Sequence, residues 1–145
     1  MQRLIRLALA AFAVSLFHSA HAADLTRGGT VVAVPDGPCR NGEVLRAVAS
    51  GFSHQVRHVP HLPDVAIRDF QNIGVQRYEP QSEDRPIARL YCRADAMLSD
   101  GHVRRIWYLI EEGVGFASIG DNVEFCVEGF DRWYVYNSPW CRVLR

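Results

Sequence analysis

From Asn41 onward the apolar positions of the chain follow a helical period. With Val44 as origin and about 100° per residue, Val44, Val48, Val59, Phe52, Leu45 and Val56 share about 120° of arc. Residues 41–59 are therefore expected to form a helix with one wide buried stripe. Asn41 suits its N-cap, because its short side chain can accept from an amide of the first turn. Pro60 and Pro63 end it, since proline lacks the amide donor and displaces its predecessor from helical geometry.

Beyond Pro63 the period shortens to two. "VAIRDFQNIGVQRY" is an imperfectly alternating strand candidate, followed by the polar loop "QSEDRP". "IARLYCRADAML" alternates well: Leu90, Cys92, Ala94, Ala96 and Leu98 share one face, and Arg89, Tyr91, Arg93 and Asp95 the other. "SDGH" marks a hairpin turn at Asp100 and Gly101, and "VRRIWYLIEE" returns. A two-residue turn sets Ala94 opposite Trp107 and Cys92 opposite Leu109, so the helix is expected against Leu90, Ala94, Trp107 and Leu109. "NVEFCVEGF" and "RWYVY" complete the strand candidates. Upstream stand a short β-rich run, "TVVAV", and the turn signal "PDGP".

This order predicts an α+β fold, with one N-terminal helix packed on a curved antiparallel sheet of about four strands. The arrangement resembles cystatin-like and NTF2-like architectures, by analogy of layers only; the chain has no "QxVxG". Such folds host inhibitors, binding modules and enzymes alike, so function must be read from the site.

The N-terminus carries Arg3 and Arg6, an apolar run "LALAAFAVSLF", and Ala20 and Ala22 at the small-residue positions of a cleavage site. Residues 1–22 are expected to be a cleaved secretory signal, residues 23–40 an N-terminal extension, and residues 41–145 a single α+β domain. No later apolar run is long enough to span a bilayer, so no integral membrane segment is expected in the mature chain. Export to the periplasm of a Gram-negative cell, or secretion, follows from the signal. Charge is balanced over the whole chain, with 16 basic and 16 acidic residues, which argues against a nucleic-acid binder. Every basic residue is arginine, which excludes Schiff-base lysine chemistry and lysine-dependent phosphate loops.

The four cysteines, Cys39, Cys92, Cys126 and Cys141, read as two disulfides in an exported chain of this size. Zinc competes, but there is no C-x-x-C pair. Three pairings are possible. The favoured one joins Cys126 to Cys141 as a short local loop and leaves Cys39 for Cys92.

"SHQVRHVPH" places His54 and His58 one helical turn apart, with His61 just past Pro60 and Asp64 beyond. Two imidazoles at that spacing can grip Zn²⁺, Ni²⁺ or Cu²⁺, and His61 can supply a third ligand. Against this, partly charged histidines near a helix C-terminus are favoured by the dipole alone, and Arg57 opposes a dication. The bland reading, a solvated helix end, outweighs the metal site.

No catalytic motif stands out. Ser99, Asp100 and His102 crowd a turn, whereas triad members converge from separate elements. Glu111 and Glu112 point to opposite faces of a strand, which leaves Glu112 with Glu124 as the carboxylate pair to consider. "GVGFASIG" lacks the spacing of a nucleotide loop and reads as a bend. The aromatic content of the C-terminal third is more informative. Tyr91, Arg93, Tyr108 and Ile110, with Trp133, Tyr134 and Tyr136, are expected to form an apolar, arginine-dotted interaction surface. The alternative is a sheet face covered by a loop or by the N-terminal segment. The reading taken is a small disulfide-stabilised protein that binds a protein partner or itself, without catalytic activity. A periplasmic metal-binding protein using His54, His58 and His61, and a carboxylate-dependent hydrolase, are its alternatives.

Overall fold

A computed structural model describes residues 37–115 and 120–145 of the chain. The signal segment, the "TVVAV" run and residues 116–119 of "GVGFASIG" lie outside the described residues. A 3-10 turn, Pro38–Arg40, leads into helix α1, Gly42–His58. Four strands follow: β1 (Ile67–Glu79), β2 (Arg89–Leu98), β3 (Val103–Glu111) and β4 (Asn122–Val127). A second 3-10 turn, Arg142–Leu144, closes the order. The strands form one antiparallel sheet in the order β1-β2-β3-β4, and α1 packs on it, an α+β fold.

Helix α1 starts and stops where its sequence dictates. The Asn41 side chain accepts from Glu43 N–H at 2.8 Å, and Val44, Val48, Phe52 and Val56 are buried. Glu43 in the first turn and Arg57 and His58 in the last complement the helix dipole. Val59 is extended, ahead of Pro60. Gly51 marks a close approach to β4: a Cβ there would stand 2.6 Å from Phe125 Cε1. No helix among the described residues is long and apolar enough to cross a membrane.

The β2–β3 hairpin differs from expectation by one residue. Leu98 N–H donates to His102 O at 2.8 Å, and Gly101, at φ 86°, donates to Leu98 O at 3.0 Å. The loop is thus Ser99, Asp100 and Gly101, three residues rather than two, with glycine in the left-handed position. Ala94 faces Ile106 and Cys92 faces Tyr108. Because side chains alternate with period two, this slip exchanges the two faces of β3. Ile106, Tyr108 and Ile110 point to the helix, and Trp107 and Leu109 to the outer face.

Both faces of the sheet carry buried apolar residues. Beneath α1, Phe52 meets Phe130 edge-on at 4.9 Å among Val48, Cys92, Ile106, Tyr108 and Val127. The Cys39–Cys92 disulfide brings Pro38–Arg40, counted with the extension on sequence grounds, against this core. On the outer face Tyr91, Trp107 and Leu109 lie under Leu144, held there by the Cys126–Cys141 disulfide. Both bridges are the favoured pairs. Among the described residues, the cover over Tyr91, Trp107 and Leu109 comes from the C-terminal turn.

"RWYVY" is not a strand. Asp131 is buried, and its two carboxylate oxygens accept from Val135 N–H and Tyr136 N–H, each at 2.8 Å. Tyr134 and Asn137 adopt positive φ, 55° and 66°. A side chain that gathers two amides ahead of it winds the backbone into turns and withdraws those donors from any ladder.

Candidate functional site

The loop of residues 131–140 is clamped at both ends. Upstream, Phe130 is packed on Phe52, its carbonyl accepts from Gln55 Nε2 at 3.0 Å, and Gly129 N–H donates to Pro139 O at 2.9 Å. Downstream, Cys141 is bonded to Cys126 of β4. Between the clamps, Asp131 gathers its two amides. Yet Trp133 is 64% exposed, Val135 68% and Trp140 56%, with Tyr134 similarly open. Large apolar side chains held in solvent by a constrained backbone are what a contact surface requires.

Two recesses adjoin the loop and share Trp133 as a wall. The smaller, of about 330 Å³, runs along β4 from Val123 to Cys126, between Val59 of the helix end and Val135 and Tyr136. The larger, of about 640 Å³, is bordered by His61, Leu62, Arg132 and Tyr134. Burial, then the charges of Glu124 and Asp131, push the Tyr136 phenol up to about 12, so it stays neutral and able to donate. No family model, curated protein or solved structure matches this chain.

The expected interaction surface divides into parts. Tyr108 and Ile110 lie in the core under α1, because the three-residue turn reverses β3; neither belongs to an exposed surface. Tyr91 is buried on the outer face, with the Arg77 guanidinium 3.9 Å from its ring centroid. Arg93 is exposed on that face. Trp133 and Tyr134 are exposed, and Tyr136 is half-buried beside them. Val135 is exposed and borders the recess along β4 with Trp133 and Tyr136, and Trp140 is exposed at the end of the loop. The signal available was the aromatic content of the span between Cys126 and Cys141.

The histidines do not converge as a triplet. His54 and His58 stack in the open, ring centroids 3.8 Å apart, and His58 Nδ1 donates to the His54 carbonyl at 2.7 Å. His61, at φ 63°, borders the larger recess instead. Among the described residues no group of three His, Cys, Asp or Glu side chains is placed to hold a metal ion.

The carboxylates and the turn residues have structural tasks. Glu111 accepts from Arg89 Nε at 2.9 Å and from Asn122 Nδ2 at 3.0 Å. Glu112 and Glu124 border different recesses. Asp100 accepts from His102 N–H at 3.0 Å, and that bond holds its carboxyl below the usual range. Ser99 Oγ accepts from Ala66 N–H at 3.0 Å, which ties the turn to the start of β1.

Proposed function

We propose that this protein is a small exported binding module that engages a protein partner through the loop of residues 131–140, by contact rather than catalysis. One observation carries the reading: Trp133, Tyr134, Val135 and Trp140 stand in solvent on a loop whose ends and middle are fastened. A backbone ordered in advance loses little entropy on binding, and aromatic side chains bring large contact area with few torsions. Export is supported by the signal-like N-terminus and by two disulfides, which persist in oxidising compartments. The stacked pair His54 and His58 is accounted for by its helix-end position and favours no metal-binding reading over this one.

Site-specific photocrosslinking in the cells that make the protein tests the proposal. A benzoylphenylalanine at position 133 or 134 is expected to give a discrete adduct, whereas the exposed controls Gln76 and Glu83 give none. An adduct of twice the chain mass would assign the loop to self-association instead. Adducts of equal strength at all four positions, or none at 133 and 134, would remove the loop from consideration.

A further inference from the structure

β4 is an outer strand of the sheet. Glu128 N–H donates to Arg105 O at 2.9 Å, continuing the register in which Cys126 faces Trp107 and Glu124 faces Leu109. Peptide groups of an antiparallel strand alternate in direction, so residues 122, 124, 126 and 128 bond β3 while Val123 and Phe125 turn theirs outward. The far side of β3 obeys the same parity, since His102 pairs with Leu98 of β2. Among the described residues, the outward peptide groups of Val123 and Phe125 meet no hydrogen-bonding partner.

The opposite edge of the sheet is blunted. β1 shifts register three times, and Arg40 Nη2 donates to Ile73 O at 2.6 Å. Bulges and charged caps of this kind discourage strand addition. β4 has no register shift, and its edge lies in the groove between Val59 and the Trp133, Val135 and Tyr136 wall.

We propose that β4 accepts an extended segment of a partner protein as an added strand, one in which apolar and basic residues alternate. The inference rests on the binding reading above and specifies its chemistry. Successive side chains of an added strand point to opposite faces. Toward the helix they meet Val59, Val123 and Phe125, an apolar setting. Toward the outer face they meet Glu124, which has no cationic partner among the described residues, beside Trp133 and Tyr136. Carboxylate and aromatic rings together suit arginine or lysine. A second copy fits less well: β4 paired with β4 about a two-fold axis through Phe125 sets two Glu124 carboxylates on one face as diagonal neighbours.

The test is amide hydrogen exchange, read by NMR, on the oxidised, isotope-labelled protein. The probes are capped peptides of about nine residues, long enough to span one strand. One alternates valine and arginine, a second replaces arginine with glutamate, and a third carries a central proline. The valine–arginine peptide is expected to slow exchange at Val123 and Phe125. The glutamate peptide should bind about tenfold more weakly, and the proline peptide should give no protection. Glu124→Lys is expected to weaken the valine–arginine peptide about tenfold with the circular dichroism spectrum unchanged. Binding that leaves Val123 and Phe125 unprotected, no binding of the valine–arginine peptide, or protection that rises with protein concentration alone would each overturn strand addition. Photoadducts at 133 and 134 alongside any of these would leave the binding reading standing without it.

Discussion

The Tyr108 hydroxyl donates a 2.6 Å hydrogen bond to the carbonyl of Cys39, 69 positions away in the chain. Tyr108 faces Cys92 across the β2–β3 ladder, and Cys92 is the disulfide partner of Cys39. One covalent bond and one buried hydrogen bond therefore fasten the Pro38–Arg40 turn to two adjacent strands. Tyr108→Phe keeps the ring and deletes the hydroxyl donor at a fully buried site. It is expected to cost about 1–2 kcal/mol, read as a lowered urea midpoint of the oxidised protein with an unchanged slope.

Gly51 is required by contact rather than by backbone conformation. Helix propensity alone would make Gly51→Ala stabilising by about 1 kcal/mol. A Cβ 2.6 Å from the Phe125 ring reverses the sign, and a net loss of about 1 kcal/mol is expected. In a Phe125→Ala background the same change should stabilise. A double-mutant cycle from thermal melts checks the reversal, and a loss in both backgrounds would mean that the contact is not the cause.

Asp131→Asn replaces one of two accepting oxygens by an amide that faces a backbone N–H. Bonds from backbone amides to a charged acceptor are worth about 1.5–3 kcal/mol each, so a loss of about 2 kcal/mol is expected. The photoadduct at Trp133 should weaken in parallel, because the loop that presents it loses its internal tie. Unaltered stability would show that the loop is held by its ends alone.

Replacing Cys126 and Cys141 together by alanine should cost about 3 kcal/mol and release Leu144 from the outer face. In a Trp133→Phe, Trp140→Phe background, Trp107 is the sole tryptophan. Its emission is expected to shift to the red and its quenching by acrylamide to rise, since Leu144 and Arg145 cover it in the oxidised state.

Tyr136 supplies a pH signature. Its phenol titrates near 10.0 when unfolded and at about 12 in the fold, so between those values the folded state holds the proton more firmly. The stabilisation is whole below the unfolded value and declines as pH rises through that window. Thermal midpoints should therefore fall more steeply above pH 10 for the native sequence than for Tyr136→Phe. Parallel curves would mean that Tyr136 is not the group responsible.

The helix was legible because its stripe, its cap and its proline stop agree, three signals of different origin at Asn41, Val44 to Val56, and Pro60. Strand existence was legible for the same reason. What alternation cannot supply is phase. β3 is apolar on both faces, with Ile106, Tyr108 and Ile110 on one and Trp107 and Leu109 on the other, so its pattern accepts either register. A single added loop residue, with Gly101 at positive φ, decides between them. The candidate surface was legible only in its composition. Aromatic content pointed to residues 133–136, but the turn that exposes them is written in the reach of one carboxylate, Asp131, to amides four and five residues on.

The sheet is a meander, in which every strand pairs with its neighbour in sequence. In chain order α1 precedes the strands that cover Val48 and Phe52. Each hairpin can close as soon as its second strand appears, but the core over the helix is complete only when β3 and β4 supply Ile106, Tyr108 and Val127. Until then the chain displays a bare amphipathic stripe, while Cys39 needs only β2 to bring it Cys92. The sequence that folds last thus sets how long the sequence made first must be sheltered.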